Sequence, residues 1–115
     1  MMNNKDIKEH HNLDQLKQYN PLPAGLMVAD SGISGQGVFT TRRLVGGTEL
    51  GISHYRIDEI LIRTPLGGFI NHANEANCVK VEFNDDKCEE KWNLIALRNI
   101  KEGEELTVSY TFYNI

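Results

Sequence analysis

From Leu22 onward, short apolar runs alternate with Gly, Asn, Asp and Pro punctuation, and no helix-period pattern of useful length follows Tyr19. Turn signals about every eight to twelve residues predict a strand-dominated domain. Leu26-Met27-Val28-Ala29 reads as a first strand, broken by Asp30-Ser31-Gly32. Gly37 to Thr41 reads as a second, and Glu49 to Tyr55 as a third, entered from a Gly46-Gly47 turn. Ile57 to Arg63 is apolar and fits either a strand or a single helical turn. Val79, Val81 and Phe83 alternate with Lys80 and Glu82, which predicts a strand with one buried face. Asn84 to Lys87 is a turn and Trp92 to Leu97 runs back, so residues 79–97 are expected to form an antiparallel hairpin. Leu106, Val108 and Tyr110 alternate in the last strand.

Before these strands, Met1 to Asn20 is polar, with Ile7, Leu13 and Leu16 able to share one side of a short helix. Asn20-Pro21 marks a boundary. The expected organisation is a polar arm over residues 1–21 and one domain over residues 22–115. A 115-residue chain has room for one core and a thin margin of stability, which leaves a functional homodimer open.

Composition narrows the function. A net charge of −4 argues against nucleic acid, whose phosphates need a basic face, and suits solubility or a basic peptide partner. No apolar run approaches the roughly 20 residues that cross a bilayer, so no membrane partner is expected. Met1 to Asn12 lacks the apolar core of a signal peptide. The expected location is cytoplasmic, or nuclear in a eukaryotic host, and not secreted. Cys78 and Cys88 are too few for a disulfide framework and lack the nearby ligands that zinc needs. His10-His11 does not have metal-ligand spacing, and no metal is expected.

Three segments carry more than fold. The first is Gly35-Gln36-Gly37-Val38-Phe39 with Arg43-Leu44-x-x-Gly47-x-Glu49-Leu50. The second is Gly68-Phe69-Ile70-Asn71-His72-Ala73-x-x-Ala76-Asn77-Cys78. The third is Ala96-x-Arg98-x-Ile100-x-x-Gly103-Glu104-Glu105-Leu106-Thr107-Val108-Ser109-Tyr110. Alone, Gly-x-Gly is a turn between strands. It precedes no helix, so it fails the context of a dinucleotide fingerprint. Alone, Asn71-His72 is a loop pair that satisfies local backbone groups, and Tyr110 is a core aromatic. Together and in this order, the segments resemble the SET-domain protein lysine methyltransferases, from about Leu26 to the end of the chain, with the compact viral and bacterial members as the nearest in size.

That resemblance implies a mainly β, SET-type β-clip fold whose C-terminal segment is threaded through a loop, pseudoknot-like. It implies S-adenosylmethionine as cofactor and a lysine-bearing protein or peptide as substrate. It places Gly35, Gln36 and Gly37 on the methionine part of the cofactor, and Asn71 and His72 on its adenine and amino-acid ends. Asn77 matches the family's second asparagine. Tyr110 matches the tyrosine beside the methyl-transfer channel, where it would orient the amine. Phe112 and Tyr113 are candidate channel walls, and Tyr55 is a further candidate. Two positions depart from the pattern: Ala73 replaces a usual serine and Ala76 a usual proline, which removes a backbone restraint. The stretch from Gly51 to Gly67 is shorter than the insert that builds one wall of the peptide groove in relatives, and the chain stops five residues past Tyr110. Tyr55 to Arg63, or a second subunit, would then build that wall. His54 and the pair Glu104-Glu105 are expected to be solvated, and Cys78 to be a packing residue. Two other readings compete: a SET-like fold that serves only as a protein-interaction module, and an unrelated small β-barrel.

Overall fold

In a computed structural model of the protein, residues 21–84 and 90–109 are described. The N-terminal arm, Cys88, Tyr110, Phe112 and Tyr113 lie outside the described residues, as does the threaded path expected of the C-terminal segment.

Among the described residues, eight strands make one sheet: β1 (Leu26–Asp30), β2 (Gln36–Thr40), β3 (Glu49–Ile57), β4 (Ile60–Arg63), β5 (Asn71–His72), β6 (Cys78–Phe83), β7 (Glu90–Ala96) and β8 (Glu105–Val108). Their order is β1-β2-β8-β6-β7-β3-β4, with β5 paired to β8 outside this path. The mainly β architecture expected from the turn spacing is therefore present, and Ile57 to Arg63 resolves as the end of β3, a two-residue turn and β4. β6 and β7 form the expected antiparallel hairpin, with Val81 opposite Asn93.

One helix interrupts the strands among the described residues. α1 spans Pro65–Phe69 and is too short to show a period. Its start is nonetheless written locally. Pro65 supplies a pre-set φ at the first turn, and Oγ1 of Thr64 accepts from the Gly67 amide at 3.2 Å. The same hydroxyl lies 2.6 Å from the Ile52 carbonyl and so ties the helix to β3. Gly67 is pressed against the Ser53 carbonyl, where a β-carbon would overlap it.

The core gathers Leu22, Leu26, Val38, Leu44, Leu50, Leu66, Cys78, Leu94, Ala96, Ile100, Leu106 and Val108. β8 supplies both faces: Leu106, Thr107 and Val108 are all buried, as befits a strand with β2 on one side and β5 and β6 on the other. The expected buried face of β6 is corrected. Val81 and Phe83 are exposed, and burial is deepest at Cys78, on the opposite phase. The far half of β6 runs beyond the core, so alternation there reports only the pleat.

The first and third sequence segments interlock away from the candidate site. Leu44 and Ile100 exchange backbone hydrogen bonds of 2.8 and 2.9 Å. The Gly46 amide donates to Oδ1 of Asn99 at 2.9 Å, and the Gly47 amide to the Ala96 carbonyl at 2.7 Å. A β-carbon on Gly46 would come within 3.2 Å of the Arg98 backbone, so glycine permits this close approach.

Candidate functional site

β5 is only two residues long, yet it places Asn71 and His72 parallel to β8, opposite Thr107 and Val108. The Ala73 amide continues the pairing with a 2.9 Å bond to the Val108 carbonyl. Asn71 then reaches across to the β1–β2 hairpin. Its Nδ2 lies 3.0 to 3.1 Å from Oγ of Ser31, the carbonyls of Ser34 and Gln36, and Oε2 of Glu105. The Ser31 hydroxyl, in turn, donates to the Glu105 carboxylate at 2.9 Å. It also accepts from the Ile33 amide at 2.9 Å. One carboxylate and one amide thus hold the whole bend from Ser31 to Gln36 in place.

Gly37 makes room for this cluster. A β-carbon there would overlap Oε2 of Glu105 and come within 3.0 Å of Nδ2 of Asn71. Gly35 serves a different need: its φ of +47° lies in the left-handed region, and no heavy atom approaches its β-carbon position within 4 Å. Gly35 and Gln36 are exposed, so their backbone edge is reachable from solvent. His72 is half-buried and both its ring nitrogens are shielded from solvent.

Asn77 locks the other side of β8 by mimicking a strand. Its Oδ1 accepts from the Thr107 amide at 2.9 Å and its Nδ2 donates to the Glu105 carbonyl at 2.8 Å. Its own amide donates to Oγ1 of Thr107 at 3.3 Å. The side chain is buried, so each of these bonds replaces water that is not there. The loop from Ala73 to Ala76 is thereby closed at both ends by β8, at Asn71-His72 and at Asn77-Cys78.

The charged neighbours differ from expectation. Glu104 is not a freely solvated turn residue: it pairs with Arg98 and accepts from the Lys101 amide at 3.0 Å. The Arg98 guanidinium, then the Lys101 amide, hold its carboxyl down to about 2. Glu105 is tied to Ser31 and Asn71, as described. His54 is also not solvated, because β3 continues to Ile57 and carries strands on both sides of it. Burial, with Lys80 and Arg63 adding to it, lowers the imidazole to about 4. Cys78 is a packing residue as expected, and burial pushes its thiol up to about 12.

The candidate residues therefore fall into two places. Gly35, Gln36, Gly37, Asn71 and His72 come together where β2, β5 and β8 meet. Tyr55 stands apart on β3, separated from β8 by β6 and β7 in the sheet order. It is half-buried and lines a cavity of about 290 Å³ with Ile52, Thr64 and Lys91. Sequence reasoning does not single out Ser31 or Thr107, and takes Glu105 only as a solvated turn residue. Ser31 and Glu105 lie 74 positions apart, and no local pattern joins them. Thr107 carried one signal, its place inside the third segment.

Comparison with known proteins bears on this arrangement. The family model for the SET domain matches residues 4–111. No curated protein matches the chain. Among solved structures, a Plasmodium falciparum protein assigned to the histone methyltransferases is similar at a TM-score of 0.65 and 17% identity, covering 76% of this chain and 94% of that one. At that identity the likeness speaks for the fold.

Proposed function

The chain belongs to the SET-domain family, and from that premise we propose that it transfers a methyl group from S-adenosylmethionine to the side-chain amine of a lysine in a protein. The observation that carries this reading is the pairing of β5 with β8. It sets Asn71 and His72 beside Thr107 and Val108, at the base of the segment that leads to Tyr110. Two distant sequence segments thus meet, which supports the reading.

The residues fit the cofactor. Gly35 leaves open space at its β-carbon position, and Gln36 is exposed beside it, so a ligand can lie against their backbone. Asn71 holds that edge from beneath through the Ser34 and Gln36 carbonyls. His72 is the neighbouring polar side chain on the same two-residue strand. When bound, the cofactor supplies a methyl group on a cationic sulfur, open to attack by a neutral amine. The protein's task is to present that amine. A lysine with an ordinary pKa near 10.4 costs about 4 kcal/mol to deprotonate at pH 7.4. A dry channel lowers this cost by disfavouring the ammonium form. Tyr110 would orient the amine by hydrogen bonding, a matter of positioning rather than of acid–base exchange. Phe112 and Tyr113 would wall the channel. The chain's net charge of −4 favours a basic substrate segment through complementary potential.

Binding is tested by thermal unfolding with and without S-adenosylmethionine. A ligand that binds the folded state raises the melting temperature by mass action. An unchanged melting temperature at millimolar cofactor would remove cofactor-dependent chemistry and leave the interaction-module reading.

A further inference from the structure

The β3–β4 hairpin ends the sheet with an apolar edge. β4 has one strand neighbour, β3, among the described residues. Ile60 is 62% exposed, Leu61 43% and Ile57 41%. Asp58 and Glu59 both take positive φ, +50° and +67°, as a two-residue hairpin turn requires. That turn, with the Ile57–Ile60 pairing, fixes the register of β4. An exposed apolar edge of this kind is a template for pairing with another strand.

The backbone decides which residues can pair outward. The Thr64 amide donates to the Ser53 carbonyl at 3.0 Å, so Thr64 and Ser53 are a hydrogen-bonded pair. Alternation along the ladder makes Ile62 with Tyr55, and Ile60 with Ile57, bonded pairs as well. Leu61 and Arg63 therefore point their amides and carbonyls away from β3. A second strand must bond to these.

The sequence of the edge reads Glu59-Ile60-Leu61-Ile62-Arg63. Laid antiparallel against itself about Leu61, it is self-complementary. Leu61 meets Leu61 as a bonded pair, which its outward backbone permits. Ile60 meets Ile62 twice. Glu59, the second turn residue, comes opposite Arg63 of the other copy twice, at the two ends of the ladder. A slide of one residue would set the outward-bonded Leu61 against an inward-bonded isoleucine, and would lose both Glu59–Arg63 pairs. The ion pairs made by described residues are Arg56–Glu90 and Arg98–Glu104, so Glu59 and Arg63 are not engaged in either. We propose that β4 pairs antiparallel with β4 of a second copy across a two-fold axis at Leu61, extending the sheet through the dimer. A two-fold contact uses the same patch on both chains, which is what this edge provides. The ladder is short, so the dimer is reversible and depends on concentration. The proposal does not rest on methyl transfer.

Sedimentation across a concentration series tests it with charge reversals. The wild-type chain is expected to dimerise. Glu59→Arg and Arg63→Glu each create two like-charge contacts and should raise the dimer dissociation constant by about tenfold or more. Arginine at position 59 keeps a β-carbon as glutamate does, so the turn is no more strained. An equimolar mixture of the two variants restores both opposite-charge contacts and should dimerise where neither does alone. Leu61→Lys sets two ammonium groups face to face on the axis and should remain monomeric, with an unchanged circular dichroism spectrum. A wild-type chain that stays monomeric at every concentration overturns the proposal. So does a dimer indifferent to both reversals, or a mixture that remains monomeric.

Discussion

β8 and β4 belong to one sheet and are held on opposite terms. At β8 three consecutive side chains are buried, strands lie on both sides, and the polar groups among them are matched by Asn71 and Asn77. At β4 the outer edge has no strand beside it among the described residues, and apolar side chains face solvent. The first region is fixed because the Thr107 amide and the Asn77 side chain are matched where little water could replace their bonds. The second is specified only by a two-residue turn and one neighbour. The residues proposed to hold cofactor stand on the first region, where geometry is over-determined. The surface proposed to recognise a second copy stands on the second, where bonding capacity is left over.

The sharpest way to break this contrast is Asn77→Ala. It removes the Thr107 amide's acceptor and the donor to the Glu105 carbonyl in a buried place. A loss of about 3 kcal/mol in urea unfolding is expected. A loss below about 1 kcal/mol would mean that β8 is not held by this side chain. Gly37→Ala comes next. Its β-carbon would overlap Oε2 of Glu105, at an expected cost of about 1–3 kcal/mol. Adding Glu105→Ala should return part of that loss, a coupling that a double-mutant cycle would read. Strict additivity would show that the glycine is needed for another reason.

A smaller effect separates the regions by pH. His54 has its folded-state pKa lowered to about 4 by burial, so the unfolded chain binds its proton first. Stability should fall as pH drops from the ordinary histidine value near 6.5 toward about 4. Glu104, held down to about 2 by Arg98, adds stability at neutral pH that is lost at lower pH, between about 4.5 and about 2. His54→Gln should flatten the upper window alone, and Arg98→Ala the lower one. One unbroken acid transition in both variants would contradict this division. The smallest effect is expected at the exposed end of the hairpins. Val81→Thr should change stability by less than about 0.5 kcal/mol, because Val81 is exposed despite its phase.

Much of this was legible in the residues. The turn spacing located β1, β2, β3, the β6–β7 hairpin and β8, because each is bounded by Gly, Asn, Asp or Pro within a few positions. α1 was not, since five residues cannot show a helical period, although Thr64-Pro65 marked its start. β5 is two residues long and exists only because β8 lies beside it. The face of β6 was misread because alternation reports the pleat, while burial depends on which strands and loops cover it. His54 and Glu105 were read as solvated for a related reason. Their environment comes from partners far along the chain, Arg63 and Lys80 for one, Ser31 and Asn71 for the other. Gly35, Gln36, Gly37, Asn71 and His72, the proposed cofactor residues, could be matched to a motif as a whole. Their supporting contacts could not be.

The most direct test of the account is transfer of a labelled methyl group from S-adenosylmethionine to an array of lysine-bearing peptides, run with the wild-type chain and with Tyr110→Phe. Label is expected on basic lysine peptides with the wild type, and strongly reduced label with the variant while cofactor binding persists. Equal labelling by both chains would contradict the role of Tyr110, and no label on any peptide by a wild-type chain that binds the cofactor would contradict protein lysine methylation itself.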